Sequence, residues 1–198
     1  MRRMRLAILL LTFLLFAPAT AMAATSPVNV GDDFFDPATL SIARGDTVNW
    51  HWTGQSSHTV TSRRGQVDRF RSQVQSGPGS RFDYRFDYSG RFRYICKIHP
   101  FTMRAVVSVG TPETVKPKIR HARFSRGKVR FRLSERSVVK LTLKRGGHTV
   151  KRVSKVFGSG KHALGVGHPR AASYTAVLRA TDGWGNRSKA VSVHFTIG

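Results

Sequence analysis

The chain has 198 residues with 34 basic and 10 acidic side chains, a formal net charge of +24. This length allows one large or two small domains, and the single cysteine excludes an internal disulfide as a source of stability. The charge is uneven, because residues 111–198 hold 20 basic and 3 acidic residues, a net charge of +17. Such a surface attracts polyanions without specifying which one.

The first 23 residues have the composition of a secretory signal peptide. Arg2, Arg3 and Arg5 precede a short apolar run, residues 6–16, and the small-residue pattern Ala21-Met22-Ala23 follows it. The run is well short of the roughly 20 apolar residues that a membrane-spanning helix needs, and an uncleaved membrane anchor is the alternative. We expect an exported protein, extracellular, cell-wall-associated or periplasmic, with no transmembrane segment after cleavage.

Residues 24–110 alternate apolar and polar side chains with a period of two, which predicts an all-β domain. Two alternating segments within residues 39–52, separated by Arg44-Gly45-Asp46, indicate a hairpin. Residues 62–80 are rich in Arg, Ser, Gln and Gly, which indicates a long surface connection. Further strands are predicted at 58–61, 81–86, 91–95 and 105–109.

Two prolines mark residues 111–117 as a linker, and the alternation resumes over residues 118–198. The short spacing of the turn signals favours a second β-sandwich. Its acids, together with the one in the linker, are Glu113, Glu135 and Asp182. Because they form no pair in the sequence and no nucleophile–base pair stands out, we expect a binding or spacer module and no enzymatic activity. The strands are predicted at 128–133, 138–143, 149–153, 174–180 and 191–197.

One segment, Tyr94 to Met103, carries the chemistry of the chain. It supplies the thiolate of Cys96, the imidazole of His99 and the thioether of Met103 within eight residues. Copper is the first-row metal that suits soft sulfur together with imidazole. One loop rarely surrounds a metal, so a second imidazole is expected from elsewhere, and His58 is the natural candidate. Two histidines and a cysteine with a long axial methionine form the blue-copper arrangement.

Residues 28–109 resemble a small cupredoxin of the plastocyanin, pseudoazurin and amicyanin group. The likeness rests on Gly45-Asp46-Thr47-Val48, on Ser57-His58-Thr59-Val60 and on the loop that begins at Cys96. It implies a Greek-key β-sandwich that binds one copper ion, as Cu(I) or Cu(II), with the methionine axial and the loop histidine at the exposed edge. Carried over to this chain, the ligands are His58, Cys96, His99 and Met103. The loop spacing, Cys-x2-His-x3-Met, departs from the commoner spacings, and Thr59 stands where several relatives have a loop-bracing asparagine.

Residues 118–198 resemble the immunoglobulin-like or fibronectin-type-III-like modules of exported bacterial proteins, on the segments Val129 to Glu135, Tyr174 to Leu178 and Ala180 to Ser188. The excess charge indicates attachment to anionic cell-wall polymer, to lipid headgroups or to an acidic redox partner, and a plain solvated basic surface is the alternative. DNA binding is chemically allowed, but no nucleic acid is expected as a partner of an exported chain.

These observations predict an exported type 1 copper protein that carries one electron to a redox partner that the sequence does not identify. Copper storage, delivery or sensing through the same ligands is the alternative. A copper oxidase or reductase needs His-x-His pairs, and the sequence has none. Three further histidines compete as imidazole donors, but His51 is expected on a strand face, and His162 and His168 in a loop without metal.

Overall fold

The computed structural model describes residues 22–198, so the predicted signal peptide lies outside the described residues except at its last two positions. The described residues form fifteen β-strands and no α-helix, which confirms the all-β class. Accordingly, this part of the chain contains no helix long and apolar enough to cross a membrane.

Eight strands build the first domain as two sheets around one hydrophobic core. They are β1 Thr25–Gly31, β2 Phe34–Asp36, β3 Thr39–Ile42, β4 Thr47–Trp52, β5 Thr61–Ser62, β6 Arg81–Arg85, β7 Gly90–Ile95 and β8 Arg104–Val109. One sheet has the order β2-β1-β4-β6 and the other the order β3-β8-β7-β5. The core between them is rich in aromatic rings, with Trp50 packed against Phe70, Phe82, Phe86 and Tyr94.

The hairpin predicted over residues 39–52 is wrong. Its two strands lie in different sheets, because β3 pairs in parallel with β8 and β4 pairs in parallel with β1. The connecting turn, with Gly45 at φ 97°, carries the chain across the sandwich. Alternation with a period of two assigns each residue to a face of its sheet, but it does not select the strand's partner.

The segment 62–80 is also more than a surface connection. Val67 and Phe70 are buried in the core, and the Phe70 ring stacks on Trp50 with centroids 5.5 Å apart. The short strand predicted at 58–61 is displaced to β5, and His58 precedes it in an isolated bridge to Gln75. Composition suggested a solvated loop because two buried apolar residues are a weak signal among so many polar ones.

Seven strands follow residues 111–117 and enclose a second core. They are β9 Ile119–Ser125, β10 Lys128–Leu133, β11 Ser137–Arg145, β12 His148–Phe157, β13 Gly160–Gly165, β14 Ala172–Thr181 and β15 Val191–Ile197. Their sheets have the orders β13-β10-β9 and β12-β11-β14-β15, and the kinship with immunoglobulin-like modules stays a prediction. The sequence did not predict β9 or β13, because basic and small residues interrupt their alternation.

The two domains meet through specific contacts. The amide of Arg91 in β7 donates a hydrogen bond to the carbonyl of Gly183 at 2.9 Å, and Arg136 Nε donates to the carbonyl of Val67 at 3.0 Å. The Arg136 guanidinium also lies 3.6 Å from the centroid of the Tyr88 ring. These contacts place the turns after β10 and after β14 of the second sandwich against Val67, the connection between β6 and β7, and the start of β7.

Candidate metal centre

The first element of the site is the bridge that holds His58. The His58 amide donates to the Gln75 carbonyl at 2.8 Å, and the Gln75 amide donates back to the His58 carbonyl at 3.0 Å. This pair of backbone bonds fixes the histidine without a regular strand, and its side chain is fully buried. The segment 62–80 is therefore what positions the upstream imidazole, a role that the sequence did not reveal.

The second element is the loop between β7 and β8. The Cys96 amide donates to the Met103 carbonyl at 3.1 Å, and the Met103 amide donates to the His99 carbonyl at 3.0 Å. Two backbone bonds thus close the Cys-x2-His-x3-Met loop on itself, so its uncommon spacing is accommodated as a compact turn. Cys96 and Met103 are both fully buried below the loop, and His99 is partly exposed above them.

Three donor atoms converge in this place. Cys96 Sγ lies 3.8 Å from His58 Nδ1 and 3.9 Å from His99 Nδ1, and the two Nδ1 atoms are 3.2 Å apart. First-row metal bonds of about 2.0–2.1 Å to nitrogen and about 2.3 Å to sulfur, as for zinc, put trigonal donors about 3.5–3.8 Å apart. The observed separations agree with that expectation to within about 0.4 Å, so the cluster fits a trigonal metal site.

The chemistry of the donors selects copper. A thiolate with two imidazoles in a trigonal set, beside a buried thioether, is the donor set of a type 1 copper site. Met103 is fully buried and follows His99 by four residues in the same closed loop. Its role as the axial ligand stays a prediction.

Burial tunes the imidazole donors. Removal from water, reinforced by the nearby His99, lowers the pKa of His58 below the ordinary histidine value of 6.5, because both disfavour the charged ring. A neutral imidazole is the form that binds a metal. The carboxylates of Asp33 and Asp32 only partly offset this effect; Asp32 Oδ1 lies 3.8 Å from His58 Nε2.

The sequence did not predict that two acids line the rim. Asp32 accepts hydrogen bonds from the amides of Ser56, at 2.8 Å, and Gln55, at 3.4 Å, which hold the loop before His58 and lower the pKa of the Asp32 carboxyl. Asp33 Oδ1 lies 3.3 Å from His99 Nδ1. Both acids follow β1 in the sequence, and nothing in their spacing linked them to the distant loop.

Thr59 braces the two elements against each other. Its side-chain oxygen accepts a hydrogen bond from the Lys97 amide at 2.8 Å, and its own amide donates to Cys96 Sγ at 3.4 Å. The first bond joins the His58 segment to the residue after the cysteine. The second stabilises negative charge on the sulfur, the kind of contact that tunes a metal–thiolate site. Thr59 therefore joins the His58 segment to the Cys96 loop through both its side chain and its backbone.

The competing histidines are elsewhere. His51 lies in β4, and His162 lies in β13, not in the predicted loop, with Nε2 2.8 Å from the Gly158 carbonyl oxygen. His168 is exposed after β13. In the part of the chain that the structure describes, none of the three joins a cluster of metal-binding side chains.

Residues 23–110 match the family model of copper binding proteins of the plastocyanin/azurin family. The match covers the first domain and supports a copper-binding cupredoxin domain there, while residues 111–198 lie outside it. Halocyanin from Natronomonas pharaonis is 36% identical over 66 residues, which are 33% of this chain and 40% of that protein. The chain thus spans about two fifths of that curated relative.

Two solved structures also align with part of this chain. A purple cupredoxin from Nitrosopumilus maritimus is 24% identical, with 43% of this chain and 99% of that one covered and a TM-score of 0.39. Amicyanin from Paracoccus versutus is 28% identical, with 48% of this chain and 85% of that one covered and a TM-score of 0.39.

Proposed function

We propose that this protein is an exported one-electron carrier with a single mononuclear type 1 copper site. The observation that carries the proposal is the convergence of the buried Cys96 sulfur with the Nδ1 atoms of His58 and His99, at separations of 3.2–3.9 Å. Of the two histidines, His99 is partly exposed. Copper held there would supply a Cu(I)/Cu(II) couple. The proposed ligands are His58, Cys96, His99 and Met103.

The surrounding residues favour electron transfer because they hold the donors in place. His58 is fixed by its backbone bridge, the loop is closed by two backbone bonds, and Thr59 joins both. A donor set that is held rigidly needs little rearrangement when the charge of the centre changes. The fold also keeps water from the sulfur, because Cys96 is fully buried.

His99 is the proposed exit for the electron. Its side chain is one third exposed, and two exposed apolar residues lie beside it in the sequence. Phe101 is 84% exposed and Ile98 is 45% exposed. Arg104 Nε donates to the Pro100 carbonyl at 2.9 Å and its guanidinium approaches the Phe101 ring, which steadies the loop. An exposed apolar patch of this kind marks a contact surface for another protein.

The test compares electron self-exchange of the copper-loaded protein with that of Phe101→Ser. We expect a reversible couple, an unchanged potential and self-exchange slowed by about tenfold or more, the effect of losing about 1.4 kcal/mol of docking free energy. Val150→Ser, which removes another exposed apolar side chain in the second domain, is the matched control. Sluggish redox with very tight Cu(I) retention would instead support storage or delivery.

The second sandwich offers an attachment surface, which we propose binds anionic cell-wall polymer or lipid headgroups. In its three-stranded sheet, Arg130 lies opposite Arg123, and Arg132 lies between Arg120 and Lys161. Like charges directly opposite each other on a sheet repel. Arg123, Arg130, Arg132 and Lys161 line a surface cavity of about 640 Å³ that no described acid borders, so an anion bound there would relieve that repulsion.

Attachment is measured by sedimentation with anionic vesicles and, separately, with a soluble polyphosphate, over a range of salt concentrations. Arg130→Gln combined with Arg132→Gln should weaken binding by about 1 kcal/mol per charge removed. Lys144→Gln combined with Arg145→Gln removes the same charge from β11 and serves as the control. Equal losses in both double variants would show that net charge alone, and not this face, governs attachment.

A further inference from the structure

The three acids of residues 111–198 meet at one point. Glu113 lies in the connection between the domains, Glu135 in the turn before β11, and Asp182 directly after β14. One carboxylate oxygen from each lies within 4.8 Å of the others. The sequence separates these residues by 22 and 47 positions and gives no sign of the cluster.

Asp182 is the buried member and has an unused oxygen. The side chain is 8% exposed, and its Oδ1 accepts hydrogen bonds from the amides of Trp184, at 2.9 Å, and Asn186, at 2.8 Å. Its Oδ2 is buried and has no hydrogen-bond partner. A buried acceptor without a partner costs about 1–3 kcal/mol, so this oxygen is expected to serve a ligand.

The other two carboxylates are held beside it. Glu113 accepts hydrogen bonds from Asn186 Nδ2 at 3.1 Å and from the Val115 amide at 2.6 Å. Glu135 is partly buried, and burial, reinforced by the charges of Asp182 and Glu113, raises its pKa. The cluster therefore repels itself when all three groups are ionised.

No basic side chain neutralises the cluster directly. Within residues 22–198, none of the three carboxylates has a Lys, Arg or His nitrogen within 4.0 Å, although the chain carries 34 Lys and Arg residues. Arg44 and Arg136 border the same cavity, but neither has a nitrogen within 4.0 Å of the three carboxylates. Arg136 is engaged elsewhere, because its Nε donates to the Val67 carbonyl and its guanidinium lies over the Tyr88 ring. A protein so rich in Lys and Arg could easily pair three acids with basic side chains. The absence of such pairs favours a bound cation as the counter-ion of the cluster.

We propose that Glu113, Glu135 and Asp182 form a binding site for a hard divalent cation, Ca²⁺, at the junction of the two domains. Carboxylate oxygens are the ligands that Ca²⁺ prefers, and it accepts irregular sets completed by water. The cavity that the three acids border has a volume of about 350 Å³, which leaves room for such waters. The site lacks sulfur and imidazole donors and so differs in kind from the copper centre.

The cation would also join the domains. The same cavity is bordered by Tyr88 and Ser89 of the first domain. Gly90 and Gly183 approach so closely that a Cβ on Gly90 would lie 2.7 Å from the Gly183 backbone. Ca²⁺ would neutralise the three carboxylates beside this contact and remove their mutual repulsion. It is therefore expected to stabilise the junction.

The experiment titrates CaCl₂ into the full-length, copper-loaded protein by calorimetry and follows the melting temperature against NaCl at equal ionic strength. We expect binding of one Ca²⁺ and a rise in melting temperature. Glu135→Gln should weaken binding by about tenfold or more, because affinity follows the number of charged ligands. The control, Asp83→Asn, removes an exposed acid of the first domain and should leave binding unchanged.

Terbium provides an independent readout, because Trp184 borders the cavity and its indole can sensitise Tb³⁺ emission. Excitation of the tryptophans should give emission that Ca²⁺ displaces, and Trp184→Phe should lose the emission while keeping calorimetric Ca²⁺ binding. Without Ca²⁺, Glu135→Gln should melt at or above the wild-type temperature, which verifies its folding. The proposal fails if Ca²⁺ acts no differently from NaCl or if Glu135→Gln binds it as tightly as Asp83→Asn does.

Discussion

The brace between Thr59 and Lys97 allows the site's rigidity to be tested directly. Thr59→Val keeps the branched shape of the side chain but removes the oxygen that accepts the Lys97 amide at 2.8 Å. Thr59 is only 5% exposed, so water does not readily replace the lost acceptor. Thr59→Ser retains the hydroxyl and is the matched control.

The expected magnitude follows from the burial of this bond. A net hydrogen bond contributes about 1 kcal/mol, and a buried donor left without a partner costs up to about 3 kcal/mol. If the loss of the bond costs about 1 kcal/mol, the open state of the loop becomes about fivefold more populated. The backbone bond from the Thr59 amide to Cys96 Sγ remains possible in both variants. The change therefore removes only side-chain contacts, the short bond from the Lys97 amide and a longer one from Thr61 Oγ1 at 3.5 Å.

Amide hydrogen exchange measures this opening residue by residue. In Thr59→Val, the Lys97 amide should exchange at least about fivefold faster than in Thr59→Ser. The Val60 amide, which donates to Ser72 Oγ at 2.9 Å, serves as an internal reference with unchanged protection. Equal exchange of Lys97 in the two variants would refute the claim that Thr59 holds the loop.

Three further predictions concern the metal centre. Cys96→Ser should abolish the intense visible absorption that copper loading gives a type 1 site, and a colourless, copper-replete wild type would refute that assignment. Met103→Ala should lower the free energy of unfolding by about 2–5 kcal/mol because the side chain is fully buried. Met103→Leu should cost less than about 1.5 kcal/mol yet still shift the redox potential, and an unchanged potential would contradict an axial role. In the metal-free protein, the pKa of His58 is lower in the folded state than in the unfolded state. As the pH falls below 6.5, this histidine is therefore protonated in the unfolded chain before it is protonated in the folded protein. Stability should therefore decrease on acidification until the folded-state pKa is reached, and denaturant midpoints in His58→Gln should lack this contribution.

The sequence alone determined the chemistry of the first domain. A single cysteine, a histidine three residues later and a methionine four residues after that lie on one loop between strands, and local spacing places such residues together in any β-sandwich. The all-β class was equally accessible, since alternation with a period of two is a local property of a strand. His58 was only a candidate for the second imidazole, which the family resemblance also implied, because no local pattern links it to a loop 38 residues away.

Only the tertiary structure decided which strands pair and which distant charges meet. The predicted hairpin failed because side-chain alternation fixes the face that a residue occupies and leaves the partner strand open. The acids Asp32 and Asp33 reach the metal centre, and Glu113, Glu135 and Asp182 reach one another, through contacts between segments far apart in the chain. Such convergence depends on the packing of sheets and domains, a non-local outcome that spacing along the chain does not encode.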